Sequence, residues 1–156
     1  MKNYIFDGHK LLYHPDRVND FMEKGDSFPV YIEISPVGKC SHRCIFCAYD
    51  FLGYPNRKLE TGRFIEFIGE AVQCGVKSIL YAGEGEPLLH PDIDRFIQHS
   101  RQKGIDVGLY SNGQFLVKEL SARILPFLTF IRFSFNGGTK ENYSHIHRVK
   151  PSFFDT

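Results

Sequence analysis

Apolar positions along the chain fall into two rhythms. Val30 to Ser35 alternates, with Val30, Ile32 and Ile34 on one side and Tyr31, Glu33 and Ser35 on the other, until Pro36 stops it, which predicts a strand. Lys77 to Ala82, Asp106 to Tyr110 and Thr129 to Phe135 are three further short strand-like runs, each followed by turn residues. Between them the period lengthens to that of a helix. Phe64, Ile65, Ile68, Ala71 and Val72 recur on one face behind a capping Thr61, with Gly75 at the far end. Ile93, Phe96 and Ile97 form a second apolar face, opened by Pro91 and the acidic pair Asp92 and Asp94 and closed by Gly104. Leu116, Leu120 and Ile124 form a third, within a helix from Leu116 to Leu125 ended by Pro126, and another helix starts near Thr139. Ahead of all these, Asp16 is placed to cap a short helix carrying Val18, Phe21 and Met22 and closed by Gly25. That helix lies among turn signals at Asp7-Gly8, His14-Pro15 and Gly25-Asp26-Ser27.

Strands alternating with helices predict repeated βα units on a parallel sheet, with the strands side by side in chain order because the crossovers share one hand. The expected organisation is an extension over residues 1–29 and a core domain over residues 30–156. Every unusual segment follows a strand. The connection from Val37 to Glu60 is far longer than the usual ~4 to 6 residues, and Gly83 to Pro87, Ser111 to Gly113 and Ser134 to Gly138 follow the other three. Ligands of parallel α/β folds bind at the carboxyl ends of strands, so four loops are expected to build one site.

Composition narrows the partners. With 42% hydrophobic residues the chain can bury a core, and 19 basic against 18 acidic residues leave a formal charge of +1, so no global field draws it to nucleic acid or an anionic membrane. No apolar run approaches the ~18 residues of a membrane span, and Met1 to Lys10 lacks the apolar stretch of a signal peptide. The expected location is cytoplasmic.

Three of the four cysteines, Cys40, Cys44 and Cys47, are spaced C-x3-C-x2-C inside the long loop. Cysteines so close make poor disulfide staples and a good metal site, and thiolate softness favours zinc or an iron–sulfur cluster. A closed zinc site needs a fourth ligand, for which the spare residues are His42 and Cys74. Three ligands alone suit a cluster with one iron left open. By itself Cys74 reads as a small apolar residue near a helix end, most of the seven histidines as surface or loop residues with His42 alone beside the site, and Ser111-Asn112-Gly113 as turn chemistry. Arg148 reads equally as a solvated charge, and Glu33 as either a substrate contact or hydrogen-bonded filler.

The cysteine spacing with Phe46 before the last cysteine resembles the radical S-adenosylmethionine (radical SAM) family. Gly83-Glu84-Gly85-Glu86-Pro87 after the second strand resembles that family's GGEP segment, with Glu84 in place of a glycine. Ser111-Asn112-Gly113 resembles its T-N-G turn, and Ser134-Phe135-Asn136-Gly137 its S-x-D-G segment with Asn136 for aspartate. His147-Arg148 stands where an Arg-Gly pair is common, with Val149 replacing the glycine. The resemblance implies a partial (β/α) TIM-like barrel of which about four βα units are present. It also implies a [4Fe-4S] cluster held by Cys40, Cys44 and Cys47, with S-adenosylmethionine chelating the open iron.

On this resemblance Phe46 packs beside the adenine, Gly85 lets backbone approach the methionine moiety, and Glu86 accepts from its ammonium group. Ser111, Asn112, Ser134 and Asn136 complete the cofactor-binding set. Alternation is expected to carry Arg132, Ser134 and Asn136 together onto the barrel interior, with Tyr31, Glu33 and Ser35 on the first strand. The implied reaction is reductive cleavage of S-adenosylmethionine to a 5′-deoxyadenosyl radical that abstracts hydrogen from a small-molecule, sugar or peptide substrate. The implied electron donor is of flavodoxin or ferredoxin type. The alternatives are a zinc-binding or interaction module and a cluster-binding remnant without catalysis. Radical SAM cores have six βα units, so the chain is expected to be the front portion of a longer protein. A four-stranded piece is then expected to expose an edge that associates or destabilises it.

Overall fold

The computed structural model describes residues 10–155; the Asp7-Gly8 turn and most of the Met1 to Lys10 segment lie outside them. Four parallel strands, β1 (Tyr31–Ile34), β2 (Ser78–Tyr81), β3 (Asp106–Ser111) and β4 (Phe130–Phe133), lie side by side in the order β1-β2-β3-β4. Helices α1 (Pro15–Lys24), α2 (Thr61–Gln73), α3 (Ile93–Gln102), α4 (Lys118–Ile124) and α5 (Lys140–His147) occupy the expected segments.

Local chemistry moves several boundaries. Glu60, not Thr61, caps α2: its backbone is extended and its carboxylate accepts from the N–H groups of Gly62 at 2.9 Å and Arg63 at 2.7 Å. The Thr61 hydroxyl is thereby released to donate to Asp92 at 2.6 Å, tying α2 to the start of α3. Asp16 does not cap α1, because Pro15 has its φ already set for a helix and starts it two residues earlier, behind His14. Pro126 tightens the end of α4 into a 3₁₀ turn over Leu125–Phe127. Gly25 closes α1 in the left-handed conformation, as expected.

Alternation sorts the sheet into two unlike faces. Ile79 and Tyr81 of β2 and Val107 and Leu109 of β3 meet Phe64 and Ile68 of α2, Ile93, Phe96 and Ile97 of α3, and Ile124 of α4 in a single core. Phe96 is at its centre, fully buried, 4.3 Å from the Phe64 ring and 4.5 Å from the His90 ring between centroids. The buried Tyr81 hydroxyl is satisfied by the Phe96 carbonyl and Ser100 Oγ.

The opposite face carries no helix of this core. In register across it stand Tyr31 and Glu33 of β1, Leu80, Gly108, Tyr110 of β3 and Arg132 of β4. Tyr31 donates to Glu33 at 3.2 Å, and the Arg132 guanidinium lies 5.1 Å from the Tyr110 ring centre. Because β4 ends at Phe133, alternation brings Arg132, of the three polar residues expected there, onto this face beside Phe130, and Ser134 and Asn136 belong to the loop beyond. At the amino ends of the strands α1 leans under the sheet, anchored by Arg17 donating to the Cys74 carbonyl at 2.8 Å. A cavity of about 980 Å³ lies between them, lined by Leu11, Val18, Phe21, Phe28, Leu80 and Phe130 among others.

Candidate cofactor site at the carboxyl edge of the sheet

All four strand-following loops meet at the carboxyl edge. The loop after β1 crosses Gly85, whose backbone is so close to the carbonyls of Val37 and Lys39 that a Cβ there would collide with them. This is the close approach that requires a glycine, and the Glu86 N–H donates to the Lys39 carbonyl at 2.9 Å beside it. The segment following β2 is thus the floor on which the cysteine loop lies.

Glu86 organises this floor. Its buried carboxylate accepts from Leu88 N–H at 3.1 Å, Ser111 Oγ at 2.7 Å and Asn112 N–H at 2.8 Å. Burial nevertheless wins over these three bonds and pushes its carboxyl above the ordinary range. Ser111 in turn accepts from Gly113 N–H, and Asn112 donates to Ser41 Oγ at 3.1 Å, reaching from β3 into the cysteine loop. Ser134 joins through its backbone N–H to the Ser111 carbonyl at 2.9 Å. The side chains of Ser134 and Asn136 are exposed, as is Phe46.

Cys40, Cys44 and Cys47 are free thiols, each partly exposed. Arg43 holds the loop between them, donating to the carbonyls of Cys40 at 2.8 Å and His42 at 2.7 Å while its guanidinium stacks 3.9 Å over the Tyr54 ring. Burial first, and then the neighbouring Cys47, raises the Tyr54 phenol. Burial first and the neighbouring sulfurs of Cys40 and Cys47 second push the Cys44 thiol up to about 11. A bound cation reverses such a preference, since coordination deprotonates a thiol outright.

The other wall of the loop is α5. Carbonyls in the last turn of a helix lack partners within it, and here the cysteine loop supplies them: Arg43 N–H donates to the His147 carbonyl at 3.1 Å and Ile45 N–H to the Ile146 carbonyl at 2.9 Å. These two bonds flank Cys44. His42 was the one histidine expected beside the site; His147 joins it there, fully buried, with Nδ1 3.1 Å from Cys44 Sγ. His42 is buried against it, and burial first, then His147, lowers the His42 imidazole to about 4, so it is neutral near pH 7.

The donor set can be tested against a metal. A tetrahedral zinc with bonds of ~2.0 to 2.3 Å needs ligand atoms within about 4 Å of one another. Among the described residues the group that closes to within 4.8 Å is His42, Cys44 and His147, which leaves Cys40 and Cys47 outside. Three sulfurs spread more widely than one ion can span fit a multi-iron cluster, whose irons are each met by a separate cysteine. Cys74 is removed from contention by topology, since it ends α2 at the opposite edge of the sheet.

The family model for the radical SAM superfamily matches residues 34–155. The chain belongs to the radical SAM superfamily. Members of this superfamily work with a [4Fe-4S] cluster and S-adenosylmethionine. The GTP 3′,8-cyclase of Nautilia profundicola is 32% identical over 99 residues, covering 60% of this chain and 30% of that protein. SuiB of Streptococcus suis bound to its precursor peptide SuiA superposes with a TM-score of 0.69 at 22% identity, over 99% of this chain and 36% of SuiB. SuiB bound to S-adenosylmethionine gives 0.67 at 19% identity, over 99% of this chain and 35% of SuiB. The fold is therefore a partial radical SAM barrel, and the chain spans about 30% of the length of the Nautilia relative. Among the described residues no helix is long and apolar enough to cross a membrane.

The cysteine loop, Glu86 and the loops after β3 and β4, all singled out in the sequence, are brought together at one edge of the sheet. The sequence marked His147 only as a motif position and gave Tyr54 no part; their partners, Cys44 and Arg43, are brought to them by folding alone. The i, i+4 spacing of Tyr143 and His147 on a short helix was the available signal for one; for Tyr54, at φ +49 before Pro55, there was none.

Proposed function

We propose that this chain is the cofactor-bearing part of a radical SAM enzyme. Cys40, Cys44 and Cys47 would hold a [4Fe-4S] cluster. Phe46, Gly85, Glu86, Ser111, Asn112, Ser134 and Asn136 would form the S-adenosylmethionine site. Residues 30–156 would constitute the core domain and residues 1–29 an extension. The observation that carries the reading is the continuous bonding from Ser41 in the cysteine loop through Asn112 to the buried Glu86 and Ser111.

Held by Cys40, Cys44 and Cys47 and the residues named above, the cluster and S-adenosylmethionine would supply radical chemistry of the 5′-deoxyadenosyl type, for hydrogen abstraction from a small-molecule, sugar or peptide substrate. The chain's own residues prepare the place for it. Glu86 fixes the loops after β2 and β3 relative to each other, and three bonds leave its carboxylate one acceptor position for an ammonium group. Phe46 offers an exposed apolar ring beside the cysteines, suited to covering a purine. Ser134 and Asn136 offer uncharged donors and acceptors from the β4 side. Reduction of the cluster would require an electron donor of flavodoxin or ferredoxin type, and a reducing, cytoplasmic location suits both the free thiols and the cluster.

Anaerobic reconstitution with iron and sulfide, followed by electron paramagnetic resonance of the reduced protein, tests the reading. A [4Fe-4S]⁺ signal that changes on adding S-adenosylmethionine, and is absent in C44A, is the expected result. Tightly held zinc with no cluster would overturn it.

A further inference from the structure

His147 is placed to act on the cluster through one of its ligands. The imidazole is fully buried and makes two polar contacts, with Nε2 3.3 Å from the backbone nitrogen of Asn136 and Nδ1 3.1 Å from Cys44 Sγ. A backbone N–H only donates, so Nε2 must present its lone pair to Asn136. A ring whose Nε2 accepts carries its proton on Nδ1. The backbone of the loop after β4 thereby selects the tautomer that directs an N–H at the Cys44 sulfur.

The same backbone contact argues against His147 as a metal ligand. Coordination through Nδ1 would require a proton on Nε2, and that proton would face the Asn136 N–H. His42, whose two nitrogens are buried without a partner, cannot substitute as a directed donor because nothing fixes its tautomer.

We propose that His147 is a positioning residue that donates a hydrogen bond from Nδ1 to Cys44 Sγ and so raises the reduction potential of the cluster. The inference rests on Cys44 being a cluster ligand. Hydrogen bonds to ligand sulfurs withdraw electron density and stabilise the reduced cluster, and they are among the protein's main controls on such potentials. The two backbone bonds from Arg43 and Ile45 to the end of α5 hold Cys44 at the distance the contact needs. Asn136 acquires a second part in the site through its backbone, separate from its exposed side chain.

Two measurements test this. Long-range proton–nitrogen correlation on the apo chain labelled at histidine nitrogen reads the tautomer without any cluster. A proton on Nδ1 of His147 is expected, and one on Nε2 would overturn the proposal. Reconstituted native chain, H147F and H147N are then compared by redox titration. H147F keeps an aromatic ring but has no donor, and its cluster is expected to shift to a more negative potential. H147N can offer its amide N–H near the Nδ1 position and is expected to restore the native value. An unchanged potential in H147F, with its cluster signal intact, would overturn the inference and leave the function standing. Failure of the native chain to form a cluster would overturn the function itself, while the tautomer measurement still decides the hydrogen bond.

Discussion

Phe96 and Phe46 are the same side chain put to opposite uses. Phe96 sits at the centre of the helix-covered face, fully buried and packed on Phe64, Tyr81 and His90. Phe46 stands at the carboxyl edge with 56% of its surface exposed, touching His147 edge-on at 5.9 Å. The helix-covered face is held by apolar contact, which is insensitive to direction and comes with every helix that docks. The carboxyl edge is held by directed hydrogen bonds among Glu86, Ser111, Asn112 and Ser41, and leaves apolar surface open. On the helix-covered face burial itself holds the fold, whereas at the carboxyl edge the proposed function gives the exposed Phe46 ring its part.

The contrast can be broken at either end. The largest expected loss is from F96A, about 3 to 5 kcal/mol by denaturant unfolding, since a large cavity opens where three elements meet. A loss below about 1 kcal/mol would mean that the helices do not share one core. Next comes E86Q. Every bond at that carboxylate is an acceptance, so the amide must turn its N–H₂ group toward a donor, and a cost of about 1 to 3 kcal/mol is expected. Unchanged stability in E86Q would show the network to be decorative.

A smaller effect is expected at Glu60. The N–H groups of Arg63 and Gly62 hold its carboxyl below the ordinary range, so its folded-state value lies below the unfolded one. Its contribution is present above the unfolded value and lost as pH falls through the depressed one. E60A should therefore lower the melting temperature at neutral pH and make less difference as the medium becomes acidic. A difference that stays constant with pH would exclude the charged cap. Smallest of all is F46A, expected to alter stability by no more than about 0.5 kcal/mol. It should nevertheless abolish the change that S-adenosylmethionine produces in the cluster spectrum. A large loss of stability in F46A would place that ring in the scaffold instead.

Much of the fold was legible because its signals are local. The alternation in Val30 to Ser35 and the helical spacing from Phe64 to Val72 each state which side of an element is apolar, and a βα order leaves few ways to assemble such elements. The errors at Thr61 and Asp16 were also local, and came from competing chemistry within one turn: a glutamate long enough to cap ahead of a threonine, and a proline that starts a helix early. The site divides along the same line. Cys40, Cys44 and Cys47 declare themselves by spacing, and Gly85-Glu86-Pro87 by its place after a strand.

What the sequence alone determined, then, was the order of the elements, the face each would bury, and the family's metal-binding and turn motifs. Only the tertiary structure decided that Gly85 is required by the cysteine loop passing over it, that Arg43 stacks on Tyr54, and that His147 is turned toward Cys44. His147 and Cys44 are 103 residues apart in the chain. No periodicity spans such a separation. Their contact depends on where β4 ends and how α5 returns, and hydrogen bonds, unlike hydrophobic burial, depend on angles that only the completed fold supplies.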